Sequence, residues 1–166
     1  MRHLFAILLV SCCIGVAAAR STAVVGKPAP EITATLLDGR SFDLARQRGQ
    51  VVIVHFWATW CAPCRVEMPV LEAFQRAHKS EGLVVVAISL DTNDDLGKVK
   101  AAMRDFSFPT ALIADTKANG YGRIWRVPLT FVVDRNGVLR RDGFAAAPTI
   151  DAAALDRDVL PLLRAQ

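Results

Sequence analysis

Two cysteines, Cys61 and Cys64, flank two residues at the junction between an apolar run and an amphipathic segment. The apolar run, Val51–Trp57, is rich in β-branched residues and predicts a buried strand. The segment from about Pro63 to Lys79 has apolar residues at helical spacing and predicts a helix. A Cys-X-X-Cys pair at a strand-to-helix junction can pass between dithiol and disulfide with little movement of the backbone. The pattern therefore predicts dithiol–disulfide chemistry at the start of a helix.

The position of Cys61 at the predicted helix N-terminus gives the two thiols different roles. Unpaired N–H groups and the helix dipole favour a thiolate at this position. Because the thiolate is the attacking species in disulfide exchange, we expect Cys61 to be the nucleophile. Cys64 lies one turn further into the helix and is expected to be the more shielded, resolving thiol.

A structural zinc site and an inert buried pair are the alternative interpretations of the Cys-X-X-Cys pattern. A zinc site needs four ligands, commonly from a second Cys-X-X-Cys or from paired histidines. The other cysteines are the adjacent Cys12 and Cys13, and the histidines are scattered at His3, His55 and His78. The strand-to-helix setting also argues against an inert pair. We therefore predict neither a metal nor another cofactor.

The first 19 residues predict export. A cationic start is followed by an apolar run from Leu4 to Ala19 that ends in small residues, which is typical of a secretory signal cleaved after Ala19. Two alternatives stay open. The segment can remain uncut as a membrane anchor, or the Leu9–Cys12 sequence can act as a lipoprotein cleavage box that leaves Cys12 lipidated. In each case the following domain is exported, to the periplasm in a bacterium with two membranes.

Export changes the count of cysteines in the mature chain. If Cys12 and Cys13 are removed with the signal, only Cys61 and Cys64 remain. A disulfide across two intervening residues restricts the unfolded chain very little, so we expect this pair to serve catalysis rather than stability. The rest of the chain, residues 24–166, has the usual size of one domain.

The charge pattern argues against a nucleic-acid partner. The formal net charge is +4, and the basic residues are interleaved with acidic ones instead of forming a stripe. The charge pattern therefore predicts no nucleic-acid partner. The Cys-X-X-Cys pair instead predicts protein thiols and disulfides as partners. The chain itself is expected to be a monomer.

The remaining patterns predict alternating strands and helices. An Asp38-Gly39 turn between two short alternating segments predicts an N-terminal hairpin. The predicted strands are 31–36, 41–44, 51–57, 83–90, 111–115, 129–134 and 138–142, and the predicted helices are 63–79, 91–106, 117–125 and 151–163. This order indicates a largely parallel core with helices on both faces and a late antiparallel hairpin. The expected fold class is α/β, a three-layer α/β/α sandwich with a mixed central sheet.

Three motifs carry a family resemblance: Gly26–Pro30, Phe56–Cys64 with Glu67 and Pro69 after it, and Val127-Pro128 before the strand at 129–134. In these motifs the chain resembles the thioredoxin fold and, more narrowly, the TlpA/ResA-like family of exported thiol–disulfide oxidoreductases. The resemblance implies protein disulfide substrates, such as apocytochrome c or the copper-site thiols of oxidases, and re-reduction by a membrane electron donor. It favours a reductant, although the residues between the cysteines do not set the direction of electron flow.

Pro128 is expected to be the cis-proline that thioredoxin-like folds place opposite the disulfide. A proline has no N–H, so the backbone of the preceding Val127 can pair with an extended substrate. Pro109 also precedes an apolar strand, but only the strand after Pro128 is followed by a hairpin and the terminal helix. The chain departs from many relatives in carrying Leu129 where they have threonine.

Two ionisable residues near the cysteines are candidates for proton transfer. Glu67 lies one turn after Cys64, and the resemblance implies that it accepts the proton of the resolving thiol. Alternatively, Glu67 faces water, and its negative charge only stabilises the N-terminal half of the helix. His55 occupies a strand position where thioredoxins have a buried aspartate and many relatives an asparagine. It is either a proton relay or a core histidine with one hydrogen bond.

The roles expected of the aromatic residues depend on how close they lie to the cysteines along the sequence. Trp60, next to Cys61, is expected to cover the site and to offer an apolar docking surface. Trp57, Tyr121, Trp125 and Phe131 are interpreted as packing residues.

Two other functions compete with the oxidoreductase. A peroxiredoxin-like thiol peroxidase would have a threonine and a proline before its reactive cysteine, and here Thr59 is present without the proline. A Cu(I) metallochaperone could bind the soft ion through the Cys61 and Cys64 thiolates, but no methionine-rich or histidine-rich tract accompanies them.

Overall fold

A mixed five-stranded sheet forms the centre of the protein, and a smaller antiparallel sheet of three strands accompanies it. The computed structural model describes residues 21–165. The strands are β1 (Thr33–Thr35), β2 (Ser41–Asp43), β3 (Val51–Trp57), β4 (Leu83–Ser89), β5 (Thr110–Leu112), β6 (Thr116–Lys117), β7 (Leu129–Val133) and β8 (Leu139–Arg141). The helices are α1 (Ala62–His78), α2 (Leu96–Ala102), α3 (Ala152–Asp158) and α4 (Leu160–Arg164).

The central strand is β3, whose seven residues are all buried. It pairs in parallel with β4 and antiparallel with β7, in the sheet order β5-β4-β3-β7-β8. Because both faces of β3 are covered, its sequence is a continuous apolar run interrupted only by His55 instead of an alternation of apolar and polar residues.

The four helices cover one face of the central sheet. Alternate β3 residues, Ile53 and Trp57 among them, pack there against Leu71 of α1, Val99 of α2 and Leu155 of α3. The parallel steps from β3 to β4 and from β4 to β5 go in the same direction across the sheet. Since such crossovers are right-handed, they place α1 and α2 on the same face.

The opposite face is covered by the small sheet, whose order is β2-β1-β6, and by a 3₁₀ turn at Asn119–Tyr121. Phe56 of β3 contacts Tyr121 and Phe131 there, with ring centroids 6.4 and 5.9 Å away. The predicted fold class, a mixed α/β sheet covered on both faces with an N-terminal β-hairpin, is confirmed. The second covering layer is built from the small sheet and 3₁₀ turns where helices were expected.

The predicted helix over residues 117–125 is wrong. The segment forms β6 and the 3₁₀ turn, and then an irregular stretch that begins at Gly122. Gly122 has φ +75, a left-handed conformation that ends any helical path. Long-range pairing of β6 with β1 replaces the local helical hydrogen bonds.

The predicted terminal helix is divided in two. The backbone leaves the helix at Val159, with φ −113 and ψ −46, and α4 begins just before Pro161. Proline has no N–H to donate to the preceding turn, so the hydrogen-bond ladder cannot continue through this position.

The predictions for residues 1–19, including cleavage after Ala19 and lipidation of Cys12, lie outside the described residues. Within residues 21–165, no helix has the length and apolar character needed to cross a membrane. The N–H of Thr22 donates to the Gly120 carbonyl at 2.8 Å. The chain is therefore already hydrogen-bonded to the domain at Thr22, two residues before the predicted boundary. The domain range 24–166 stays a prediction.

Candidate active site

Cys61 and Cys64 form a disulfide at the N-terminus of α1, with their Cα atoms 5.3 Å apart. Cys61 has the extended backbone of an N-cap residue, and its Sγ accepts the Cys64 N–H at 3.2 Å. Cys64 is completely buried, whereas 4% of Cys61 is exposed. The N–H groups at the helix N-terminus therefore stabilise negative charge on the sulfur of Cys61. Cys61 is also the more exposed cysteine of the pair, so a partner can reach it more easily than Cys64.

Asp91 holds the loop that leads into the cysteines. It is buried, and its carboxylate accepts the Thr59 N–H at 2.8 Å, the Thr59 hydroxyl at 2.6 Å and the Ser89 hydroxyl at 2.6 Å. From the sequence, Asp91 is expected only at the start of a helix. The signal that could have found it is a carboxylate two residues after the end of β4, because the neighbouring parallel strands β3 and β4 end at the same edge of the sheet.

The Val127–Pro128 peptide bond is cis, and it is the only cis bond among residues 21–165. The assignment of the cis-proline to Pro128 rather than Pro109 is confirmed. Pro128 immediately precedes β7, where Leu129 pairs with Phe56 of β3. Since β7 runs antiparallel to β3, the start of β7 lies at the end of β3, which is the edge of the sheet that carries the disulfide.

Glu67 is buried on the side of α1 that also carries Cys64, whereas Arg65 and Val66 between them are exposed. Its Oε1 accepts the N–H of Ile150 at 3.0 Å, and its Oε2 has no hydrogen-bond partner within residues 21–165. Burial raises the pKa of Glu67 to about 7, although the Ile150 hydrogen bond and the charge of Arg141 oppose the shift. At neutral pH the group can therefore both accept and release a proton.

His55 is completely buried on β3, on the sheet face that packs against α1. Its Nδ1 lies 3.0 Å from the Thr130 hydroxyl and 3.8 Å from Glu67 Oε2, and its Nε2 has no partner among the described residues. Burial lowers the pKa of His55 to about 3, so the ring is neutral at pH 7. Glu67, rather than His55, is the ionisable group here that titrates near neutrality.

We expect His55→Asn to leave the pH profile of the resolving step unchanged between pH 6 and 8. An asparagine keeps a polar group for Thr130, but one hydrogen bond is imperfectly replaced, so the unfolding free energy should fall by about 1–3 kcal/mol. A thermal melt and a stopped-flow pH series measure the two effects. Loss of the inflection near pH 7 would instead restore the proton-relay role of His55, which stays a prediction.

The aromatic residues near the site differ in exposure. Trp57 is fully buried, as expected, whereas Trp60 is 66% exposed, and its role as a cover and docking surface stays a prediction. Tyr121 and Phe131 pack against each other with ring centroids 4.8 Å apart. Trp125 does not pack in the core as predicted. It is 70% exposed and lies in the irregular stretch that follows Gly122.

The family model of the AhpC/TSA family matches residues 25–142, which include the cysteines, Glu67 and the cis-proline. The chain belongs to the AhpC/TSA family. The family resemblance inferred from the sequence motifs is thereby confirmed.

Individual relatives agree with the AhpC/TSA assignment. The chain is 32% identical over 113 residues to thiol-disulfide oxidoreductase ResA of Bacillus cereus, an alignment that covers 68% of this chain and 65% of ResA. It is 33% identical over 119 residues to thioredoxin-like protein YneN of Bacillus subtilis, with 69% and 68% covered. The chain thus spans slightly less than two thirds of the length of this ResA.

A solved structure of similar fold is a thiol:disulfide interchange protein of the thioredoxin family from Chlorobium tepidum. The two chains superpose with a TM-score of 0.70 and 28% sequence identity, covering 86% of this chain and 99% of the other. The AhpC/TSA chain described here therefore has a thioredoxin-like fold over most of its length.

Proposed function

We propose that this protein is a thiol–disulfide oxidoreductase that reduces disulfides of partner proteins. The observation that carries the proposal is the placement of Cys61 Sγ at the N-terminus of α1, within disulfide distance of the buried Cys64. The names of the ResA and Chlorobium relatives support the same chemistry.

The first step is attack of the Cys61 thiolate on a substrate disulfide. An S–S bond forms between Cys61 and one substrate sulfur, and the other substrate sulfur leaves as a thiolate. The N–H groups of the first turn of α1, including that of Cys64, stabilise the attacking thiolate electrostatically.

The second step is attack of Cys64 on the Sγ of Cys61. Glu67 takes the proton of the Cys64 thiol, the resulting thiolate forms the Cys61–Cys64 disulfide, and the second substrate sulfur leaves. The substrate disulfide gains two electrons and becomes a dithiol, and the cysteine pair loses them. A carboxyl group with a pKa of about 7 is suited to accept this proton at neutral pH.

Trp60, Val127 and Pro128 form the proposed docking surface. The exposed ring of Trp60 offers an apolar contact beside the reactive sulfur. Because Pro128 has no N–H, it cannot itself donate a backbone hydrogen bond here, and an extended substrate can pair with the backbone of Val127.

The cellular setting is also part of the proposal. The predicted signal or anchor at residues 1–19 supports an exported protein, in the periplasm where there is one. By resemblance, the substrates are disulfides formed by the thiols of apocytochrome c or of oxidase copper sites, and a membrane protein re-reduces the cysteines. The chain is proposed to act as a monomer.

The reduction potential tests the direction of electron flow. The protein is equilibrated in glutathione redox buffers, and the fraction of the Cys61–Cys64 disulfide is measured by thiol alkylation. We expect a potential below about −200 mV, as in reducing thioredoxin-like proteins, whereas a value above about −150 mV would contradict a reductant.

Two activity assays separate the competing functions. The reduced protein should reduce insulin disulfides faster than it consumes hydrogen peroxide, and a variant with serine at both positions 61 and 64 should do neither. Faster turnover of peroxide would favour the thiol peroxidase. Tight stoichiometric binding of Cu(I) without insulin reduction would favour the metallochaperone.

A further inference from the structure

The segment Ala147–Ile150, between β8 and α3, is held from both ends by buried charged side chains. At one end Arg141 Nη2 donates to the Ala147 carbonyl at 2.9 Å. At the other end the Ile150 N–H donates to Glu67 Oε1 at 3.0 Å. The guanidinium of Arg141 and the carboxyl group of Glu67 are therefore connected through four residues of backbone.

Arg141 is only 5% exposed, which is unusual for an arginine. Its Nη1 lies 3.9 Å from Asp158 Oδ2, and its Nε has no hydrogen-bond partner within residues 21–165. Among the described residues, no ion pair shorter than this 3.9 Å contact neutralises the cation. A charge that is screened by neither water nor a tight partner acts over a longer distance than a surface charge.

The charge of Arg141 acts on Glu67. Burial raises the pKa of Glu67, and the positive charge of Arg141 pulls it back towards the ordinary value. Conversely, burial lowers the pKa of Arg141, and the carboxylates of Asp158 and Glu67 oppose that shift. The two side chains therefore stabilise each other's charged forms.

Few other ionisable groups face Glu67. The neighbours are His55 from β3, which is neutral at pH 7, and Cys64, which lies one turn earlier on the same buried side of α1. From β8 comes Arg141, and behind it Asp158 and Arg157 of α3 form an ion pair with each other at 2.8 Å. Among the described residues, Arg141 is thus the one cation whose charge lowers the pKa of this carboxyl group.

We propose that Arg141 is a positioning residue for Glu67: it fixes the Ala147–Ile150 segment that presents the Ile150 N–H to the carboxylate, and Asp158 moderates its charge. The proposal rests on the proposed function, in which Glu67 accepts the proton of Cys64. It adds a residue of β8 to the set that controls the resolving step.

Opposite shifts in two variants test the proposal. The pH midpoint of the resolving step is measured by stopped flow, and the titration of the Glu67 carboxyl carbon is followed by NMR. Arg141→Gln removes the cation and should move both midpoints to higher pH by about half a unit or more. Asp158→Asn removes the opposing anion and should move both to lower pH.

Two further variants complete the experiment. Arg141→Lys keeps the charge and should retain a midpoint close to that of the unmodified protein. Arg140→Gln is the matched control, because Arg140 is the neighbour of Arg141 on β8 and pairs with Asp134 at 2.6 Å instead. It should leave the midpoint unchanged.

Unchanged Glu67 midpoints in the Asp158→Asn and Arg141→Gln variants would overturn the proposal. If Arg141→Gln fails to fold, an unchanged midpoint in Asp158→Asn is sufficient to overturn it. The NMR titration does not depend on enzymatic activity, so this result leaves the proposed function standing. Failure of the proposed function is seen separately, as insulin reduction that does not require Cys61.

Discussion

Replacement of Cys61 by serine should lower the rate of disulfide reduction by more than about a thousandfold. A serine hydroxyl is not ionised near neutral pH, so the electrostatic stabilisation at the start of α1 has no thiolate to act on. Cys64 remains, but it is completely buried and cannot reach a protein disulfide. Insulin reduction with dithiothreitol as the electron donor measures the loss.

Replacement of Cys64 by serine should have a different result, because attack by Cys61 survives and release does not. The variant should accumulate mixed disulfides with substrate proteins, visible as adducts on a non-reducing gel that dithiothreitol dissolves. The Cys61→Ser variant is the matched control and should form no adducts. If it trapped partners equally well, the assignment of Cys61 as nucleophile would be wrong.

Replacement of Glu67 by glutamine should stabilise the folded protein at pH 8. The folded-state pKa of Glu67 is about 7, above the ordinary value of 4.5. Between these values the folded state binds more protons than the unfolded state. Stability from this group is therefore fully present below pH 4.5 and lost as the pH rises through 7. A neutral glutamine avoids that loss, and the unfolding free energy at pH 8 should rise by about 1–3 kcal/mol.

Glu72→Gln is the matched control on the same helix. Burial disfavours the Glu72 carboxylate, but hydrogen bonds from Ser107 and Arg76 outweigh this effect and lower its pKa. Loss of the Glu72 carboxylate should therefore lower the unfolding free energy at pH 8, whereas Glu67→Gln should raise it. Urea denaturation of both variants at pH 5 and pH 8 measures the difference, and equal behaviour of the two would contradict the raised pKa of Glu67.

Glu67→Gln should also slow the resolving step at pH 7 by about tenfold to a hundredfold, because no carboxylate accepts the Cys64 proton. The glutamine can still accept the Ile150 N–H, so the segment at Ala147–Ile150 should keep its place. Stopped-flow measurement over pH 5–9 should show loss of the inflection near pH 7. An unchanged profile would remove Glu67 from the proton transfer.

The central elements could be predicted from sequence because local patterns determine them. β3 and β4 are continuous apolar runs, and the predicted strand at 51–57 agrees with the observed Val51–Trp57. The helix after the cysteines was predicted to within a residue at each end, since its apolar spacing is strong.

The segment at 117–125 shows where local patterns fail. Its predicted helix has no long apolar face, and two glycines, Gly120 and Gly122, weaken it further. The pairing of Thr116 with Ala34 joins residues far apart in the chain, and no local pattern encodes that contact. The prediction that Trp125 packs in the core was wrong in the same segment.

By itself the sequence determined where the redox-active pair lies: a strand, two cysteines and a helix in immediate succession place the sulfur of Cys61 at a helix N-terminus. It also identified Glu67 and His55 as candidates for proton transfer, from their positions relative to the cysteines and from the family resemblance. Only the tertiary structure decided their protonation, since burial raises the pKa of one and lowers that of the other. Burial and the partners at Ile150, Thr130 and Arg141 depend on contacts between distant parts of the chain, and such contacts exist only once the sheet and its covering layers have assembled.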